Sequence, residues 1–111
     1  MSVRIDVTGE VLTAYLGGEI DHHNAAEMRE VIDSALRANT PSLIVLDFSD
    51  VTFMDSSGIG LVMGRYRASR PFGAELMVTN TPAGIYKVMR LAGIERLAKL
   101  DKGVNNNEKG A

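Results

Sequence analysis

Cysteine and tryptophan are both missing from this 111-residue chain, and aromatics make up only 5% of it. Without cysteine there is neither a disulfide nor a thiolate to act as nucleophile or metal ligand, which fits a cytoplasmic protein. So few aromatic rings leave little for stacking on bases or sugars. A basic excess is lacking too: 12 Lys and Arg stand against 14 Asp and Glu, for a net charge of −2. No stripe of cations is available to neutralise phosphates, so direct nucleic-acid binding is not expected. No apolar run approaches the roughly 20 residues that cross a bilayer, and the polar start has neither the n-region nor the h-region of a signal peptide. No membrane association is expected.

What is present is a globular balance of 45% apolar and 23% charged residues, in a length suited to one core. Val3 to Val7 alternates, Thr8-Gly9 supplies a turn, and Val11 to Leu16 alternates again, which predicts an antiparallel hairpin. Met28, Val31, Ile32, Ala35 and Leu36 fall on one helical face. That helix is expected to start near Asn24 and end before Thr40-Pro41. The unbroken run Leu43-Ile44-Val45-Leu46 predicts a central strand covered on both faces. A second helix from Ser57 to about Ser69 stops at Pro71 and Gly73, and Glu75 to Thr79 is the next strand. Thr81 then caps a third helix that has Pro82 at its first position and Gly93 at its close. Leu97 to Leu100 is a short last strand or helix, and residues 102–111, with three consecutive asparagines, read as a disordered tail behind a single domain over 1–101. The order β-β-α-β-α-β-α predicts an α/β fold with helices packed on the sheet.

In this architecture the loop carrying Gly17 to His23 and the turn carrying Asp55-Ser56-Ser57 emerge together at the carboxyl ends of parallel strands. Asp21 and Ser56 are therefore expected to be neighbours. The two serines stand where a strand becomes a helix N-terminus, a place that suits a cap and tolerates a phosphate. Spacing does not choose between them. A hydrolytic triad with His22 or His23 lacks the G-x-S-x-G elbow and an oxyanion-hole segment. A metal site lacks the ligand spacing of common zinc centres. Gly58, Gly60 and Gly64 follow the spacing G-x-G-x-x-x-G, which is not a dinucleotide fingerprint, and no P-loop lysine accompanies them. Gly58 and Gly60 answer either a local steric need or the close approach of a partner's backbone. Met54, Ile59 and Met63 are either core or a contact patch. Arg65, Arg67 and Arg70 read as cations favouring the C-terminal end of the helix dipole.

The segment Asp55-Ser56-Ser57-Gly58-Ile59-Gly60 resembles the STAS domain family, in particular bacterial anti-sigma factor antagonists. The likeness extends to Gly18-Glu19-Ile20-Asp21-His22-His23 and Gly64-Arg65-Tyr66, which are similar to the sporulation type, and it spans about residues 3 to 100. The resemblance implies a mixed sheet of four to five strands with an N-terminal hairpin and helices packed on it. It implies a binding protein, not an enzyme, with no cofactor of its own. Its partners would be an anti-sigma factor that is a serine kinase, bringing the ATP, and a serine phosphatase. Ser56 would be the phosphorylated residue and Asp21 the family's loop aspartate. The docking surface would comprise Asp21, His22, Met54, Asp55, Ser57, Gly58, Ile59 and Gly60. STAS domains also serve stress-response and transport-associated circuits, which is the alternative. Family members usually add a C-terminal helix, whereas this chain turns polar at Lys102.

Overall fold

A computed structural model describes residues 2–103. The chain runs β1 (Ser2–Thr8), β2 (Val11–Ile20), α1 (His22–Asn39), β3 (Leu43–Met54), α2 (Ser56–Ser69), β4 (Glu75–Thr81), α3 (Ala83–Leu91) and β5 (Lys99–Lys102). Short 3-10 turns at Arg70–Phe72 and Ile94–Arg96 follow α2 and α3. The five strands lie in the order β1-β2-β3-β4-β5, with β1 antiparallel to β2 and every later pair parallel. This is the expected mixed sheet with its N-terminal hairpin, and the last segment resolves as a strand that includes Lys102. The expected tail beyond Gly103 lies outside the described residues.

The hairpin closes on Gly9 and Glu10 between the paired residues Thr8 and Val11. Gly9 takes a φ of +61°, and glycine at the first position of a two-residue loop is the II′ arrangement that matches strand twist. Three right-handed crossovers stepping in one direction place all three helices on the same face of the sheet. Beneath them Leu12, Ala14 and Leu16 of β2, Ile44, Leu46 and Phe48 of β3, and Leu76 and Val78 of β4 are buried against Met28, Ile32 and Leu36 of α1 and Val62 of α2.

The opposite face carries Val11, Thr13 and Tyr15, Leu43 and Val45, and Met77, all half-buried. The expectation that β3 is covered on both faces is thus corrected: the apolar run 43–46 covers an open face with medium-sized side chains. Two further boundaries shift. Gly17 to Ile20 belong to β2 rather than to a loop, so α1 begins at His22. Pro82 occupies the cap position of α3 with no side-chain cap, while Thr81 ends β4 and donates its hydroxyl to the Asp101 carbonyl at 2.9 Å, holding β5 in place.

Strand β3 spends 12 residues alongside the 10 of β2, and the difference is taken up by two bulges. The first is locked by Asp47, which accepts from the Ser49 N–H at 2.9 Å, the Ser49 hydroxyl at 2.7 Å and the Asn80 amide at 2.8 Å. Pairing with β4 ends at Asp47 and Thr79. The last turns of β2 and β3 therefore project beyond the rest of the sheet and carry the site.

Candidate functional site

The projecting strands end in register, Ile20 beside Met54. The next residue on each is an aspartate in extended conformation that caps a helix. Asp21 accepts from the Asn24 N–H at 2.8 Å and starts α1; Asp55 accepts from the Ser57 N–H at 2.8 Å and starts α2. The Asp55 N–H donates to the Ile20 carbonyl at 3.1 Å, which ties the two caps together. The expected juxtaposition of the Asp21 and Ser56 segments is what this register produces. Two carboxylates and two helix N-termini thus share one end of the molecule, their negative charges facing the positive ends of the helix dipoles.

Ser56 is the first residue of α2 and is exposed, as is Asp55; Ser57 is half-buried. Neither serine hydroxyl hydrogen-bonds a histidine among the described residues. His22 and His23 are the first two residues of α1 and both are exposed, with His23 Nε2 3.3 Å from Glu27 Oε2 one turn on. The four-residue spacing accounts for that contact.

Gly58 is buried, and a Cβ there would lie 2.2 Å from Met54 Cγ and 2.3 Å from its Sδ. Of the two readings open for this glycine, the local steric one holds: Met54 folds back over the helix start it precedes. Met54 and Ile59 are both half-buried and pack against the core. At Gly60 a Cβ would meet nothing within 4 Å, and this exposed position opens onto a groove of about 470 Å³ between α1 and α2. His22, Ala25 and Arg29 line one wall and Ser57, Gly60 and Gly64 the other.

Arg65 does not serve the helix end as its position predicted. It turns into the packing between the helices, its side chain 6% exposed, with Nε 2.9 Å from Asp33 Oδ1 of α1. The N–H does not point along that contact, so the pair is held by charge more than by hydrogen-bond geometry. Burial lowers the Arg65 pKa from its ordinary value, with Asp33 acting in the opposite direction.

Phe53 is 53% exposed at the end of β3 beside the site, and it was not among the residues picked from sequence. Plain alternation from the buried Val51 would turn it inward. The second bulge, at Thr52, skips one residue and reverses that alternation, which is how a bulge re-aims a side chain. The sequence signal available was only its place directly before the Met54-Asp55-Ser56 turn.

With this geometry established, comparison with known proteins is decisive on family. The STAS domain model matches residues 2–107. The chain belongs to the STAS domain family. An anti-sigma F factor antagonist of Paenibacillus polymyxa is 32% identical over 96 residues, covering 86% of this chain and 82% of that protein. Its counterpart in Lysinibacillus sphaericus is 34% identical over 88 residues, 79% of this chain and 75% of the relative. Among solved structures, the anti-sigma factor antagonist SpoIIAA in its unphosphorylated form superposes with a TM-score of 0.77 at 28% identity, over 97% of this chain and 92% of the other. The phosphorylated form of the Bacillus protein superposes at 0.71, again at 28% identity, over 97% and 96%.

Proposed function

We propose that this STAS protein is an anti-sigma factor antagonist switched by phosphorylation of Ser56. Unphosphorylated, it binds an anti-sigma factor that is itself a serine kinase and so frees a sigma factor; a serine phosphatase resets it, and the circuit is that of sporulation in the cytoplasm. The observation that carries the reading is the exposed Ser56 on the first turn of α2, directly after the Asp55 cap, on a strand end paired with the one that leads into Asp21. Ser57 is half-buried and its N–H is already engaged by Asp55. A phosphate adds about −1.5 to −2 charges, which the free N–H groups of a helix start accommodate without unfolding. The docking surface comprises Asp21, His22, Asp55, Ser57, Ile59 and Gly60, with Met54 and Gly58 setting the shape of the turn and Phe53 adding an apolar contact.

The anti-sigma F factor antagonists, at 32% and 34% identity, support the sporulation reading over the stress-response alternative; the anti-sigma-B factor antagonists of Staphylococcus aureus stand at 27%. The test is phosphorylation by the cognate kinase with ATP, mapped by mass spectrometry. One phosphate on Ser56, lost in Ser56→Ala and retained in Ser57→Ala, is the expected result. Labelling that survives Ser56→Ala but not Ser57→Ala would overturn the assignment.

A further inference from the structure

The sheet has an open side at β1, a seven-residue strand that pairs with β2 alone among the described residues. Its free edge has a direction that the hairpin dictates. Thr8 and Val11 close a two-residue loop, so they exchange hydrogen bonds, and the ladder alternates from there. Thr8, Asp6, Arg4 and Ser2 therefore aim their backbone groups at β2. Val3, Ile5 and Val7 aim their N–H and C=O groups outward, into solvent.

We propose that this edge pairs with the same edge of a second copy, antiparallel about Ile5, to give a two-fold dimer with one continuous ten-stranded sheet. The register is fixed by the sequence Ser2-Val3-Arg4-Ile5-Asp6-Val7-Thr8. Centred on Ile5, Val3 of one copy stands opposite Val7 of the other, Ile5 opposite Ile5, and every outward N–H meets an outward C=O. The same register sets Arg4 opposite Asp6 twice and Ser2 opposite Thr8. Charges on an edge strand usually oppose pairing. Here each meets its opposite, and a shift of two residues would set Asp6 against Asp6 in one direction or Arg4 against Arg4 in the other.

Side chains on both faces fit this occupant. On the open face Arg4 is stacked over the Tyr15 ring at 4.1 Å, and Asp6 accepts from the Thr8 hydroxyl at 3.0 Å, so both charges are held beside the edge. On the helix face Val7 is 40% exposed, and α1 carries Val31, 41% exposed. Asp33 marks the side of α1 that meets α2 through Arg65. Val31, two residues earlier, lies about 200° around the helix, on the flank away from α2 and toward the β1 edge. The two-fold axis brings these apolar groups of both copies together. The site at Ser56 lies beyond β2 and remains free.

A single short strand pair buries little area, so the dimer forms in the micromolar-to-millimolar range. Sedimentation equilibrium of the full chain across that range is expected to show the mass rising from one chain toward two. Arg4→Asp replaces two attractive pairs by two repulsive ones and is expected to weaken association about tenfold or more. The exchange Arg4→Asp with Asp6→Arg is expected to restore it. The native chain has no cysteine, so the register is read by disulfides. A mixture of Arg4→Cys and Asp6→Cys is expected to cross-link under mild oxidation far more than either variant alone. A monomer throughout the range, no recovery in the exchange variant, or self-cross-linking equal to that of the mixture would each overturn the proposal.

Discussion

A Cβ on Gly58 would sit 2.2 Å from Met54 Cγ, while a Cβ on Gly60, two residues further along the helix, meets nothing within 4 Å. The two glycines of one short motif therefore answer different needs. Gly58→Ala is expected to destabilise the fold by about 1–3 kcal/mol, because Met54 must leave its place over the helix start. Gly60→Ala is expected to stabilise by up to about 1 kcal/mol, through helix propensity alone. Urea denaturation of both variants checks the pair, and equal effects would contradict it. At this scale the helix start at the serines was legible in the sequence, because helix starts are local chemistry, but its cap was not: the serines read as the cap, and Asp55, one residue earlier, takes that place. The division of labour between the glycines was not legible either, since it depends on how the Met54 side chain folds back across the turn.

Between elements, the Arg65–Asp33 pair joins α2 to α1 at the back of the groove. Asp33→Ala leaves the Arg65 charge buried and alone, and is expected to cost about 2–3 kcal/mol, less than for a fully buried pair because Asp33 is 24% exposed. Replacing both residues, as Asp33→Leu with Arg65→Met, is expected to recover most of that loss. Chemical denaturation of the single and double variants forms the necessary cycle; an additive double variant would refute the coupling. Arg65 was read from sequence as a helix-end cation because its partner lies 32 positions away on another helix. The length of β3 was hidden for a related reason. Its bulges break alternation at Ser49 and Thr52, and the residues that hold the first one, Asp47 and Asn80, lie on different strands.

For the molecule as a whole, the order of strands and helices was legible because hydrophobic periodicity, proline and glycine mark each boundary within a few residues. The one-sided covering of the sheet was not, since a run such as Leu43 to Leu46 looks alike whether its second face meets helices or water. That rigid frame bears on the switch. The caps at Asp21 and Asp55 are anchored on paired strands, so a charge added at Ser56 is expected to change the surface and leave the core as it is. Phosphorylated and unphosphorylated protein should give urea midpoints that differ by no more than about 1 kcal/mol in stability, the scale of a charge near a helix end. Binding should change far more. A phosphate beside Asp21 and Asp55, set against a surface shaped for a hydroxyl, meets desolvation and like-charge costs of several kcal/mol. The most direct measurement is a calorimetric titration of the cognate kinase with protein carrying a free or a phosphorylated Ser56. A penalty of about 3–4 kcal/mol predicts an affinity hundreds of times weaker for the phosphorylated form; equal affinities for the two forms would contradict the switch.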